Sequence, residues 1–451
     1  MKTLTSISWL LAILTLLLLP TSCSQSTEDP LTDGPQPGEP IPGAPLVTVH
    51  VAEAGTFTQR LSNPYETINL KVTGKLNGTD LRYIRELAGR DIYNKPTAGA
   101  LKYIDLSEAV IINGGETYLN TNVAYAPNPD INNISNSLPG LFLDCENLIS
   151  VKMPNHIREL CGTFMGCSSL TSVSLPEWAT NLSHAFYDCE KLSSVKIPDG
   201  VTNLSNTFEG CTSLTTIDLP KSVISLDRTF KGCTSLTTID LPESVKYWDR
   251  TFEGCTSLTS IDLPESVSSL NGIFKDCTSL TSIDLPESVR NLNDTFKGCT
   301  SLTTIDLPKS VISLDSTFYG CTSLTSVNIP GDKTSLSRCH LSNTFKDCPN
   351  LRTIRLFSPI PPIPREFPEL SDNVTIYVPK GSYMSYRETG WGDYNLMEFD
   401  AVGIDTPVQT NKAGVSEYYS IEGKLLTNPQ RGVSSVRETD GTTKKVFIQR
   451  P

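Results

Sequence analysis

The chain has little of what an enzyme needs. Its 451 residues include only four histidines, His50, His156, His184 and His340. No C-x-x-C, P-loop, G-x-G-x-x-G or H-E-x-x-H is present, so the common signatures of zinc, nucleotide and metalloprotease chemistry are missing. His156 lies near Cys161, but no third group or oxyanion loop accompanies them to make a nucleophilic pair. Apolar residues make up 38%, low for an enzyme of this length. Positive charge is also short: 37 Lys and Arg against 49 Asp and Glu give −12, which argues against nucleic acid as a partner. There is no apolar run long enough to span a bilayer, and no aromatic stripe of the kind a dedicated sugar platform carries.

What is there is a period. Cys145, Cys167, Cys189, Cys211, Cys233, Cys255, Cys277, Cys299 and Cys321 are each 22 residues from the next. A fixed interval of this length marks a solenoid. With the cysteine as position 0, the unit from Cys211 places Leu214 at +3, Ile217 at +6, Leu219 at +8, Pro220 at +9, Val223 at +12, Leu226 at +15 and Phe230 at +19. The next unit repeats this with Leu236, Ile239, Leu241, Pro242, Val245, Trp248 and Phe252. The frame recurs once more at Cys348 after a 27-residue step. Alternation at +6 and +8 is strand periodicity, and proline at +9 cannot extend a ladder, so the strand ends there. The apolar residues that follow at spacings of 3 and 4 suit a segment that returns across the core. One unit cannot bury enough to stand alone, so the units must stack, with the ten strands between Leu148 and Leu356 forming one parallel sheet.

These units resemble the BspA-like leucine-rich repeats of bacterial surface proteins, whose unit reads roughly L-x-x-I-x-L-P-x-x-V-x-x-I-x-x-x-x-F-x-x-C. The chain departs by one residue, 22 against the usual 23, and has T-F where the family often has A-F. The resemblance implies an α/β-type solenoid dominated by one parallel sheet, with N- and C-terminal caps. Residues 68–74, 77–89 and 101–106 look like the family's N-terminal cap. There Thr79 can cap a short helix that buries Leu81, Ile84 and Leu87 and ends at Gly89. Residues 374–379, Tyr386 and Trp391 look like its closing strand and turn. The expected organisation is a signal peptide (1–22), a lipidated cysteine and Pro/Gly-rich tether (23–45), an N-terminal capping region (46–140), the repeats (141–357), a C-terminal cap (358–403) and a small β module (404–451).

Lys2 followed by the apolar run Ile7–Leu19 reads as a secretory signal. Small residues before Cys23 look like a lipoprotein signal with Cys23 acylated, although Pro20 stands where leucine is usual; ordinary cleavage is the alternative. The lipid implies an outer-membrane lipoprotein exposed at the cell surface. The C-terminal segment reads as short strands around Tyr418–Leu426, Arg431–Val433 and Lys445–Ile448. It is similar to modules that route proteins to type IX secretion, and equally to a simple β module.

The repeat cysteines recur where a small apolar side chain can stack, and free thiols are expected there. Stacking would put them about 4.8 Å apart at Cα, within disulfide reach, but their side chains would point in parallel. Position +7 faces outward between buried neighbours. Down the sheet it reads Lys152, Ser174, Lys196, Asp218, Asp240, Asp262, Asp284, Asp306, Asn328 and Arg355. Unit charges about 4.8 Å apart repel by roughly 0.9 kcal/mol in water and roughly 3.5 kcal/mol at an effective dielectric of 20. Such a column should attract a basic partner, and two neighbours could share a calcium ion; no other cofactor is expected. Thr216, Thr238, Ser260, Ser282 and Thr304 at +5 flank it, and together the columns make a flat polar face. Tyr187, Tyr247 and Tyr319 are candidate exposed contacts, whereas Trp248 sits in a leucine slot and belongs to the core. Residues 211–227 and 299–315 are identical, so aspartate can also recur through duplication alone. Members of the resembled family are implicated in adhesion. The expectation is therefore a monomeric surface adhesin or ligand-capture lipoprotein without catalysis, binding host matrix proteins, glycans or other surface ligands. The alternative is a surface spacer with no specific ligand.

Overall fold

The computed structural model describes residues 38–120, 128–330, 341–362 and 368–400, and four strands beyond residue 414. Through the repeats the described chain winds as a stack of turns, each turn one 22-residue unit. Positions 0, +3, +12, +15 and +19 are buried in unit after unit, as Cys233, Leu236, Val245, Trp248 and Phe252 illustrate. The phenylalanines form a continuous stack from Phe142 to Phe345 with centroids 5.4–5.9 Å apart and nearly parallel rings. From Cys167 to Cys321 each repeat thiol donates to the carbonyl of the phenylalanine 25 residues earlier, as in Cys233 Sγ to Phe208 O at 3.0 Å and Cys255 Sγ to Phe230 O at 3.1 Å. The repeat cysteines are free and buried, as their spacing led us to expect. Cys23 and Cys339 lie outside the described residues.

The turn chemistry follows from the sequence. Pro220 has no N–H to extend a strand, but its carbonyl accepts from Val223 N at 3.2 Å and turns the chain back. Two positions per unit need a left-handed backbone: +17 (Arg228, φ 52°) and +21 (Gly232, φ 74°). Glycine suits the second; the first is usually not glycine. Thr229 at +18 then donates to Leu204 O, the +15 carbonyl one turn back, at 2.7 Å.

The N-terminal cap is β1 (Leu46–Val51), β2 (Asn69–Leu76), α1 (Gly78–Leu87), β3 (Tyr103–Asp105) and β4 (Ala109–Ile111). Asn77, not Thr79, caps α1, because its side chain accepts from Thr79 N while Asp80 reaches back to Asn77 N. The buried Arg85 then joins cap to repeats, donating to Gly140 O and Leu141 O. At the far end, β10 (Thr375–Pro379), α2 (Tyr383–Glu388) and β11 (Asn395–Phe399) close the stack. Tyr386 Oη donates to Ser358 O and Trp391 Nε1 to Pro362 O, both at 2.8 Å. Beyond it, β12 (Val415–Tyr419), β13 (Leu425–Leu426), β14 (Gly432–Glu438) and β15 (Thr443–Ile448) form an antiparallel sheet of order β13-β12-β14-β15.

The parallel sheet is present as expected, but its ladder has two parts. β1, β2 and β3 continue into β5 (Ser150–Lys152) and β6 (Ser172–Ser174). β7 (Thr304–Asp306), β8 (Ser326–Ile329) and β9 (Thr353–Leu356) continue into β10 and β11. In the five units between, the segments at 194–196, 216–218, 238–240, 260–262 and 282–284 form no ladder. The phenylalanine stack is evenly spaced throughout, so the core does not cause the break. The facing residues account for part of it. The paired steps set Lys152 beside Ser174 and Asp306 beside Asn328. The unpaired stretch contains the four steps that would set aspartate beside aspartate. Repulsion of roughly 1–3 kcal/mol per step offsets the net gain of about 1 kcal/mol from a backbone hydrogen bond. The two steps on either side of Lys196 are also unpaired, and charge does not explain them.

Candidate binding face

The strand face starts later than the repeats do. Residues 38–44, expected to be free tether, lie along the first strands. Gly38 N donates to Ser172 Oγ at 3.3 Å, and the buried Asn69 side chain holds Ile41 N, Ile41 O and Ala44 O. The open part therefore begins beyond β6.

There the sequence and the structure agree on exposure. Asp218, Asp240, Asp262, Asp284 and Asp306 are exposed, as are Thr216, Thr238, Ser260, Ser282 and Thr304, while the isoleucines between them are buried. The face is not flat, however. Without a ladder, neighbouring strands leave clefts. One of about 420 Å³ lies between Lys196 and Asp218. Another of about 470 Å³ lies between Asp240 and Asp262, with Glu243 and Glu265 on its edge. At the C-terminal end Asn328 Nδ2 donates to Asp306 Oδ1 at 2.8 Å, and the Arg355 guanidinium sits over the Tyr377 ring at 5.6 Å. The acidic stretch is thus bounded by Lys152 and Lys196 on one side and Arg355 on the other. Among the described residues, no group of three or more His, Cys, Asp or Glu side chains could hold a metal ion.

Of the three tyrosines, only Tyr247 is well exposed, at 58%. Tyr187 and Tyr319 are half-buried rather than exposed, because +20 folds back against the next turn. Tyr187 stacks on His184 at 6.5 Å. Tyr319 receives Lys297 over its ring at 4.9 Å, and its hydrogen bond to Asp347 raises its phenol. The His156 and Cys161 pairing finds no support. Burial pushes the Cys161 thiol up, away from a reactive thiolate, and His156 Nε2 accepts from Ile111 N at 3.2 Å.

A stack of strand-turn-return units with stacked phenylalanines and capped ends is a leucine-rich-repeat solenoid. The chain belongs to the BspA type leucine rich repeat region family, whose model matches residues 99–183, 132–250 and 248–373, more than half of the chain, in six copies. Repeats of this family and fold are typically binding scaffolds without catalysis, and generally take protein ligands. Solved structures similar to it include a leucine-rich repeat protein from Bacteroides ovatus, 21% identical, covering 66% of this chain and 84% of that one at a TM-score of 0.43. A leucine rich cell surface protein from Faecalibacterium prausnitzii is 22% identical over 64% and 83% at a TM-score of 0.33. The pneumococcal vaccine antigen PcpA is 14% identical over 74% and 80% at a TM-score of 0.40. No curated protein matches the chain.

Proposed function

We propose that the protein is a surface-displayed, non-catalytic adhesin or ligand-capture lipoprotein, anchored in the outer membrane through Cys23. Its ligand, a host matrix protein or another surface protein or glycan, seats on the acidic face from Asp218 to Asp306. The observation that carries this reading is the coincidence of charge and lost pairing. Asp218, Asp240, Asp262 and Asp284 lie where the strands form no ladder, so polar backbone and clefts of a few hundred Å³ are open to a partner. Calcium shared between neighbouring aspartates is the one cofactor this face suggests. A spacer role is the second reading, favoured by the identity of residues 211–227 and 299–315.

The test is binding of the chain from residue 24 onward to immobilised matrix proteins and glycans, with and without calcium. Beside it runs the variant Asp240→Ser, Asp262→Ser, Asp284→Ser. A partner held by the parent and lost in the variant supports the adhesin; a partner held equally by both moves the site elsewhere. Silence across the array favours the spacer.

A further inference from the structure

The return segments have a ladder of their own, and among the described residues it breaks once. Position +14 of each unit bridges to +14 of the next in parallel: Ser137, Glu159, Asn181, Asn203, Ser225 and Tyr247 in one run, then Ser269, Asn291 and Ser313 in another. Tyr247 and Ser269 do not bridge. In the flanking units the +15 and +17 amides donate to the following unit, as in Leu226 N to Tyr247 O at 3.0 Å and Arg228 N to Asp249 O at 2.7 Å. Among the described residues the equivalent amides of Trp248 and Arg250 find no backbone acceptor, and the Lys246 carbonyl no backbone donor. The turns close again at once, with Phe252 N to Ile273 O at 3.0 Å.

Two substitutions open this gap. Trp248 occupies the +15 leucine slot and is buried. Its extra volume is not absorbed by the phenylalanine stack, since Phe252 and Phe274 remain 5.8 Å apart and 3° from parallel. It is taken up in the return segment instead. One turn on, Ile273 stands at +18, where threonine usually donates to the preceding +15 carbonyl. Without that hydroxyl, the Trp248 carbonyl accepts from Thr251 of its own unit at 2.8 Å. The result is a cleft of about 670 Å³ floored by Val245, Trp248, Val267 and Ile273. Exposed Tyr247 forms one wall. Asp227, Glu243 and Asp249 line it against a single cation, Lys246.

We propose that this cleft, which shares only Glu243 with the strand-face cleft between Asp240 and Asp262, is a peptide-binding site that receives an extended segment carrying a basic side chain. The unpaired amides and carbonyl on the 246–250 edge offer an extended backbone the hydrogen bonds that the next turn does not make. The carboxylates and the Tyr247 ring complement an arginine or lysine laid across them. The same cleft takes an acidic segment poorly.

The probe is a synthetic peptide of four Arg-Thr repeats, with Glu-Thr repeats and maltohexaose as comparisons, titrated against the full chain. The key variant is Trp248→Leu with Ile273→Thr. It restores the residues of the flanking units, so the ladder closes and the fold is kept. We expect the basic peptide to bind, to slow hydrogen exchange at the Trp248 and Arg250 amides, and to lose about tenfold or more in affinity to the closed variant. The triple aspartate variant of the strand face should bind it as the parent does. No binding by the parent, equal binding by the closed variant, loss in the strand-face variant alone, or binding of maltohexaose in place of the peptide would each overturn the proposal.

Discussion

Alkali should unfold this protein one block of repeats at a time. Burial raises every repeat thiol above its ordinary value of about 9. Cys145 and Cys348 at the ends rise to about 11, and the eight between them rise further. The sign follows directly. Above pH 9 the unfolded chain releases these protons while the folded chain keeps them. The thiols' contribution is therefore full below pH 9 and falls as pH rises towards the folded values. Each thiol costs about 1.4 kcal/mol per pH unit in that window. At pH 10 a block of four units that unfolds together loses about 6 kcal/mol, comparable to the whole stability of many domains. The assay is urea denaturation followed by circular dichroism under reducing conditions at pH 8, 9 and 10. The comparison is a chain carrying Cys211→Ala, Cys233→Ala, Cys255→Ala and Cys277→Ala. The parent midpoint should fall steeply above pH 9. The variant should start lower, having lost packing, and fall less. Parallel curves for the two chains would refute the reasoning, since the thiols would then not be what titrates.

Two further substitutions test the core and its cap. Phe230 is fully buried between Phe208 and Phe252 at 5.8 and 5.7 Å. Phe230→Ala should cost about 3–5 kcal/mol, and Phe230→Leu roughly 1–2 kcal/mol for the lost stacking. Because each turn touches only its neighbours, faster hydrogen exchange should be confined to the flanking units; uniform loss along the chain would count against a one-dimensional stack. Arg85 is fully buried and donates to Leu141 O at 2.9 Å and to Asn94 Oδ1 at 2.6 Å. Arg85→Ala should destabilise the N-terminal end by about 3 kcal/mol, with exchange rising first over residues 78–111, and lysine should not rescue it because it lacks the planar fork.

The core and the exposed columns at +5 and +7 were legible in the sequence, because each depends on one position repeated. A buried side chain every 22 residues is visible in a single unit and confirmed by the next. What was not legible depends on pairs. The parting of the ladder needs aspartate to be weighed against the residue facing it one turn on. The placement of 38–44 needs Asn69 and Ser172 to be known as its partners. The helix cap went to Asn77 rather than Thr79 because Asp80 completes a reciprocal pair only with Asn77. Trp248 is the sharpest case. Reading it as a core residue was correct, and said nothing of the cleft. The cleft needs a second departure 25 residues later, Ile273 in place of the threonine that would have reached back to the Trp248 carbonyl. Both departures stand in the sequence. They become one signal only when columns +15 and +18 are read together across consecutive turns, as the threonine hydrogen bond couples them. In a solenoid the informative unit is therefore a pair of positions one turn apart, and a site forms where both members of such a pair leave the consensus.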